Sequence, residues 1–368
     1  MRGPDIQQGE MFSYITLAQR IPADHPLRAI RRLIDRALER VSADLDKLYA
    51  PVGRESIPPE RLLRALLLMV LYSQPSERQL IEQIRFNLLY RWFVGLGMDE
   101  EVWDVTVFTK NRERLIRGEV SQRLLAAVLS EARENNLLSA EHFTVDGTLI
   151  RAWAGRESFQ EKSDPPAPGQ GSGKRGELLL RDKVESTTDP DARLYKKGTA
   201  DKSVPSYLGH AMVENRNELA VAGQVSGAGT AAEREAALAM LDEVVKGKEQ
   251  RAPGMKVTLG ADTQYQDPKF IAALRDRGVA PHISEYTKGA NRCKNALTED
   301  ERTDPDRAIS LGKRKLIEPV FGWGKLDRPL RQIKLRGLKR VDWFFRLVIT
   351  AYNLVRLSKL IPPPAQVA

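Results

Sequence analysis

The hydrophobic period of this chain changes once, and that change limits what it can fold into. From about Ile57 to Leu138 apolar residues recur at helical spacing, and at Glu141 the pattern gives way to a short β-run, "HFTVDGTLI". Before the change, "SIPPERLLRALLLMVLYSQ" opens with Ser56 and the Pro58–Pro59 pair, which suits a helix start. "PSERQLIEQIRFNLLYRWFVGLG" sets Gln79 three residues after Ser76, a capping-box pattern, and Gly95 and Gly97 close it. "TVFTKNRERLIRG" and "SQRLLAAVLSEARENNLL" add two amphipathic helices. After the change, "YLGHAMVENRNELAVAGQVSG" predicts a hairpin turning around Asn215–Asn217. An Ala/Glu-rich helix follows at about Ala231–Lys246, then a buried strand in "MKVTLGADT" that ends at Asp262. "DPKFIAALRDRG" reads as a helix, "VAPHIS" as a short strand, and Arg307–Leu360 as helical with breaks. Strand, hairpin, helix, strand, helix, strand, helix describes a mixed α/β sheet. The expected organisation is an all-α N-terminal domain over 1–138, a mixed α/β domain over 139–360 and a tail over 361–368. "GRESFQEKSDPPAPGQGSGKRGE", rich in Pro, Gly and Ser, predicts a loop or disordered insert, flexible over about 155–205, with folding resuming near Tyr207.

The 368 residues are 42% hydrophobic, enough for two cores. Lys plus Arg number 58 against 49 acids, a net +9 that favours a polyanionic partner, nucleic acid before membrane. The single cysteine, Cys293, rules out an internal disulfide and a cysteine metal cage. His25, His142, His210 and His282 stand far apart without zinc-helix spacing, so they read as structural or surface residues. "MRGPDIQQGEMF" lacks a signal-peptide core, and "LLRALLLMVLYS" is too short for a bilayer and contains Arg64. A soluble cytoplasmic protein is expected. The helical part shows Arg85, Arg91, Trp92, Lys110, Arg112 and Arg114, which suit either a helix-turn-helix DNA reader or a bundle with core aromatics and solvated charges.

Asp146, in "TVDGT", admits several readings. A phosphatase with an aspartyl nucleophile carries D-x-D-G-T, but the nucleophile position here is Thr144, which has no carboxylate. An aspartate capping a turn at Gly147 is the plain structural alternative. A metal-dependent nuclease needs further acids, because two-metal phosphoryl transfer uses several carboxylates to hold Mg²⁺ or Mn²⁺ ions roughly 3.5–4 Å apart. Asp262 qualifies, since "VTLGAD" turns from apolar to acidic at a strand end. In "GKRKLIEPVFGWGK", Arg314, Glu318 and Lys325 would share a helix stripe about 40° wide. A carboxylate between two cations suits a metal beside phosphate, while a surface salt-bridge stripe would look the same. From Lys313 to Lys359 there are 13 Lys/Arg against three acids, which suits phosphate contact. "WFFRLVITAYNLVRL" is too apolar for a DNA face and predicts a helix packed on the sheet.

The chain resembles bacterial insertion-sequence transposases of the DDE class, in the group named after insertion sequence 5. The resemblance runs through "RIPADHPLRAIR", "PPERLLRALLLMVLYS", "NLLYRWFVGL", "EHFTVDGTLIRAWA", "DPDARLYKKG", "YLGHAMVENRN", "TLGADTQYQ", "KRKLIEPVFGWGK" and "VDWFFRLVITAYNLVRL", in that order. It implies a ribonuclease-H-like catalytic core behind the helical domain. Asp146, Asp262 and Glu318 would be the catalytic acids and metal ligands, holding two Mg²⁺ (or Mn²⁺) ions. The implied partners are terminal inverted repeats and target DNA, met by a homodimer or larger assembly in the bacterial nucleoid. Arg314, Lys325, Lys313 and Lys315 would contact DNA. In the Y-x(2)-R-x(3)-E-x(6)-K signature Arg314, Glu318 and Lys325 match, but the tyrosine position holds Leu311. Arg151 stands where an acid is usual, which would alter charge near the site. Pro319 follows Glu318, and proline inside a helix costs about 3 kcal/mol. The helix therefore starts near Glu318 or kinks there, and a start there removes Arg314 from the stripe. The alternatives are a decayed copy that only binds DNA and a host nuclease with the same core.

Overall fold

In the computed structural model, residues 15–50, 52–53, 55–161, 184–196, 202–229, 231–246, 256–287, 295–326 and 329–362 are described. Cys293, the middle of the insert and the end of the tail lie outside these residues. The change of period at Glu141 is the junction between helices and sheet. Before it come α1 (Leu17–Arg20), α2 (Pro26–Asp46), α3 (Pro59–Leu71), α4 (Glu77–Phe86), α5 (Leu88–Val94), α6 (Val105–Arg117) and α7 (Val120–Glu134). Their ends follow local chemistry. Ser76 Oγ accepts from Gln79 N at 3.2 Å to start α4, and Gly95 at φ 93° ends α5 in the left-handed region.

The strands are β1 (His142–Arg151), β2 (Phe159–Glu161), β3 (Val184–Ser186), β4 (Arg193–Tyr195), β5 (Val204–Glu214), β6 (Ala220–Gly227), β7 (Val257–Ala261) and β8 (Val279–Ile283). The helices interleaved with and following them are α8 (Ala232–Lys246), α9 (Pro268–Asp276), α10 (Glu299–Thr303), α11 (Pro305–Lys313), α12 (Glu318–Lys325) and α13 (Leu338–Leu360). The main sheet runs β4-β5-β1-β7-β8, with β6 also on β5. β1, β7 and β8 are parallel to one another, whereas β5 is antiparallel to β1 and β6 returns beside it as a hairpin.

The insert is more ordered at its edges than its composition predicts. β2 and β3 form a small sheet and β4 joins the main one, so strands lie on both sides of the insert before Tyr207. The reason lies in one side chain. Asp189 is fully buried, its Oδ1 accepting from the Tyr207 hydroxyl at 2.7 Å and from Gly337 N at 3.0 Å. Those bonds tie the segment to β5 and to the entry of α13.

Alternation along the strands splits the core. Phe143, Val145, Met212 and Ala222 face α8 and α9, packing with Ala237, Met240, Leu241 and Ile271. Ile150, Tyr207, Val213 and Val225 belong to a larger cluster that contains Phe345 and Ile349 of α13 and Ile34, Leu63 and Val128 of the first helices. α13 packs on β6, α7, α2 and α3, as its continuous apolar run predicts. Its approach to the sheet is close, because a Cβ on Gly223 would fall 2.2 Å from Ile349 Cδ1. Among the described residues no helix is long and apolar enough to cross a membrane.

Candidate active site

β1 and β7 pair in parallel at His142–Thr258, Phe143–Leu259 and Thr144–Gly260. Asp146 lies two residues past the Thr144–Gly260 pair on β1, and Asp262 lies two residues past it, just beyond the end of β7. β7 ends at Ala261 while β1 runs on to Arg151, which leaves a notch at the strand ends where the two aspartates stand half-buried. They share a face of the sheet with Thr144 and Gly260, since a Cβ on Gly260 would lie 3.3 Å from Thr144 Oγ1 and 3.2 Å from Ser310 Oγ of α11. Each carboxylate is steadied by a local backbone donor. Gly147 N donates to Asp146 Oδ1 at 2.8 Å, and Gln264 N donates to Asp262 Oδ1 at 2.8 Å, which caps the short 3-10 turn Thr263–Tyr265.

Glu318 arrives on the same face by a different route. α11 ends at Lys313, and the 3-10 turn Arg314–Ile317 packs on β1 and β5 through Ile317, which is 1% exposed. α12 then begins at Glu318 with Pro319 in its first turn, where a missing N–H leaves no bond unmade. Glu318 is exposed. The expected single stripe therefore fails: Arg314 lies on the turn, and only Glu318 and Lys325 share a helix. Among the described residues no three carboxylate, histidine or cysteine side chains stand close enough to share one ion. The structure sets Asp146 and Asp262 two residues past a paired position of β1 and β7, both in the field of Tyr265, and starts α12 at Glu318.

A fourth acid was missed by sequence reasoning. Glu233, in the first turn of α8, reaches the backbone of β1 beside Asp146: a Cβ on Gly147 would lie 2.8 Å from its Oε1. Among the described residues the buried Tyr265 hydroxyl has no hydrogen-bond partner. Burial first, then the charges of Glu233, Asp146 and Asp262, hold its pKa well above the usual phenol range. The strand ends therefore carry oxygen donors of the type a hard divalent cation takes, with Arg234 beside them.

The cations are distributed differently from their density in the sequence. Lys313 Nζ donates to Asn215 O at 3.1 Å in a cleft with Ser139 and His142, at the start of β1 and away from Asp146. Lys315 is exposed, and Arg314 and Lys325 are half-buried. Much of the tail's basic surplus is used internally, which the count of charges does not reveal. Arg340 pairs with Glu113, Arg346 with Asp342 and Arg356 with Glu218, while Lys334 and Arg336 donate to the carbonyls of Pro75 and Trp153. Arg151 ends β1 five residues past Asp146, about 16 Å along an extended strand, so it does not set the charge at the aspartates. It lines a cavity of about 510 Å³ with Arg331 and Lys334, between the first helices and the 329–335 segment.

Most of the basic and aromatic candidates in the first helices are structural. Arg91 is 5% exposed and donates to Gly97 O and Glu100 O, and Arg112 pairs with Glu77. Arg114 covers the Tyr49 ring at 4.5 Å, and Trp92 lies under Arg28 and Arg31 at 5.5 and 5.8 Å. Arg85 and Lys110 remain exposed. The histidines serve packing and capping: His25 Nδ1 accepts from Leu27 N, His142 meets Thr258, His210 meets Ser226 and His282 meets Asp304.

The profile of a family described as "Transposase domain (DUF772)" matches residues 15–114, and that of the family described as "Transposase DDE domain" matches residues 140–354. No curated protein sequence matches the chain. Among solved structures, the chain is similar to a piggyBac transposase synaptic complex with hairpin DNA at 9% identity and a TM-score of 0.38, covering 90% of this chain and 75% of that one. It is also similar to a Mos1 transposase paired-end complex with the left transposon end at 12% identity and a TM-score of 0.21, covering 76% and 82%. These overlays are distant, so the assignment rests on the sequence match, which spans more than half of the chain: the protein belongs to the transposases with a DDE domain.

Proposed function

We propose that the chain cleaves DNA at the terminal inverted repeats of its own insertion sequence, an element of the group named after insertion sequence 5, and joins the freed ends to target DNA. The observation that carries this is the parallel register of β1 and β7, which pairs Thr144 with Gly260, the residues two before Asp146 and Asp262. Three parallel strands flanked by an antiparallel hairpin support the ribonuclease-H-like reading of the core. Asp146, Asp262 and Glu318 are the acids assigned to hold the cations. When bound, two Mg²⁺ or Mn²⁺ ions neutralise the phosphate and lower the pKa of the attacking oxygen. Backbone donors from Gly147 and Gln264 hold the two aspartates in place. In the first step water attacks the phosphorus, the P–O3′ bond breaks, and the leaving oxygen takes a proton to become a 3′-hydroxyl. In the second, that hydroxyl attacks a target phosphate, displaces its 3′-oxygen and needs no covalent bond to the protein. Arg314, Lys315, Lys325 and Lys313 are assigned to the DNA backbone. Joining two ends in one event calls for a homodimer or larger assembly on DNA in the nucleoid.

The test is strand cleavage of a duplex carrying the element's end, with Mg²⁺, beside a gel-shift measurement of binding. Asp146→Asn is expected to abolish cleavage and leave binding within a few-fold. Cleavage unchanged by that substitution, or a trapped phosphotyrosyl or phosphoseryl adduct, overturns the mechanism. Wild-type binding without any cleavage identifies a decayed, DNA-binding copy. Cutting without joining identifies a nuclease.

A further inference from the structure

The cavity between the first helices and the 329–335 segment has no part in the chemistry assigned to Asp146 and Asp262. It measures about 510 Å³, which is the size of a small-ligand site. Its depth is apolar: Leu66, Ile333 and Phe344 are at most 4% exposed, and Met69 and Leu335 are half-buried. Its rim is cationic, since Arg151, Arg331 and Lys334 are exposed. Glu77, the acid of the lining, is already neutralised by Arg112 and accepts from the Thr109 hydroxyl at 2.6 Å.

The rim is held in place by the end of β1. Arg151 and Gln332 form a backbone bridge, and Gln332 Nε2 donates to Ala152 O at 3.2 Å, which lays the 329–335 segment alongside the strand. Lys334 is occupied, its Nζ donating to Pro75 O at 3.0 Å and lying 5.7 Å from the Trp153 ring. Arg151 and Arg331 differ from it. Among the described residues neither side chain makes a hydrogen bond or ion pair, whereas Arg340, Arg346 and Arg356 each have an acid. Two guanidiniums without a carboxylate at one cavity mouth favour a shared anion, and their planar forks match phosphate.

An anion alone needs no apolar depth, but a nucleotide needs both parts: an apolar surface for its base and cations for its phosphate. The cavity is also within reach of the aspartates. Alternation puts Ile150 on the face of β1 that carries Asp146, and Ile150 clusters with α13, whose Phe344 lines the cavity. Arg151 lies roughly 16 Å from Asp146 along the strand, a span of about five stacked nucleotides at 3.4 Å each.

We propose that this cavity receives one unpaired nucleotide of the DNA strand engaged at Asp146, with its base on the apolar depth and its phosphate between Arg151 and Arg331. The inference rests on the DNA-processing reading of the two aspartates, and it makes Arg151 and Arg331 positioning residues. A free mononucleotide has the same chemistry. The plain alternative is a solvated cavity between packed elements.

Fluorescence anisotropy of the full chain in chelator separates these. The probes are a labelled single strand of about twelve thymidylates, an abasic strand of the same length and free dTMP as competitor. Arg151→Gln and Arg331→Gln are each expected to lower the slope of log affinity against log salt by about 0.7. Lys359→Gln, exposed on the last turn of α13, should leave the slope unchanged. Wild type should prefer the thymidylate strand to the abasic one by about fivefold or more. Met69→Trp, which fills the depth, should remove that preference and keep the slope; Leu335→Trp replaces it if urea denaturation shows that Met69→Trp does not fold. Slopes in the arginine variants equal to that of Lys359→Gln overturn the inference, and so does a wild type indifferent to bases. Displacement of the strand only by dTMP that needs Arg331, with strand affinity itself unchanged in Arg331→Gln, assigns the cavity to a free nucleotide and overturns the strand placement. If wild type binds neither these strands nor duplex DNA, the DNA-processing reading fails first and this inference falls with it.

Discussion

Gly147→Ala should test how closely Glu233 packs over β1. The new methyl would meet Glu233 Cγ at 3.2 Å and Oε1 at 2.8 Å. Comfortable carbon contacts lie at about 3.5–4.0 Å, so the Glu233 stem must retreat by roughly half an ångström. Three contributions set the stability change. Alanine restricts the unfolded chain and gains about 0.4–1 kcal/mol where its backbone angles are accepted. Overpacking a rigid core costs about 1–3 kcal/mol. The lower end applies here, because Glu233 is half-buried and the nearest atom is the tip of a flexible side chain. The net expectation is a change within about 1 kcal/mol. Urea denaturation should therefore give a midpoint near that of wild type. A loss above roughly 3 kcal/mol would refute the reasoning, because it would show that the Glu233 side chain cannot give way.

Two further outcomes follow from buried polar groups. Asn353 on α13 is fully buried and brackets one residue of β6, accepting from Ala220 N at 2.9 Å and donating to Ala220 O at 2.8 Å. Asn353→Leu orphans both backbone groups at about 1–3 kcal/mol each, so urea unfolding should show a loss of about 2–5 kcal/mol at constant slope, and a loss below about 1 kcal/mol contradicts the pairing. His210 is fully buried, and burial lowers its pKa from 6.5 to about 4. The unfolded state takes up the proton first as pH falls, so stability should be flat above about pH 6.5 and decline towards pH 4, by up to about 3 kcal/mol. His282 is also held down by burial, against the pull of Asp304, and adds the same sign. His210→Gln should flatten only part of the slope, and a slope identical to wild type would remove His210 from the account.

Asp262 was legible as an acid at the end of an apolar run, whereas Asp146 stands inside β1, which continues to Arg151. Register itself was not legible, since nothing local in "HFTVDGTLI" or "VTLGAD" specifies which residues pair. The stripe of Arg314, Glu318 and Lys325 failed for a reason already visible in the sequence: Pro319 belongs in a first turn, so the α-helical angle could not be carried back to Arg314. The basic tail misled because a count of charges contains no partners, and Glu113, Glu218 and the Pro75 carbonyl lie far away in sequence. The edges of the insert were missed because β2, β3 and β4 are three residues each, too short to show alternation. Glu233 was hidden in an Ala/Glu-rich helix where acids usually face water. The available signal was the glycine beside Asp146, which could be understood only once α8 was seen to lie over it.

The division of the chain at residue 138 meets its hardest test in α13. Sequence suggests an N-terminal helical module able to fold alone, yet α13, from the far end of the chain, packs on α7, α2 and α3 as well as on β6. Ile34, Leu63 and Val128 therefore lie in one apolar cluster with Phe345, Leu347 and Leu354. Arg340–Glu113 and Lys334–Pro75 add polar ties across the same junction. A fragment ending at residue 138 would expose the face that α13 covers, and burial of a single large apolar side chain stabilises by about 1.5–3 kcal/mol. Several such losses exceed the roughly 5–15 kcal/mol by which a domain is usually stable. The fragment is expected to bind a hydrophobic dye and to melt without a cooperative transition. A sharp, reversible transition with little dye binding would show instead that the helices form a free module, and that α13 joins the two parts after each has folded.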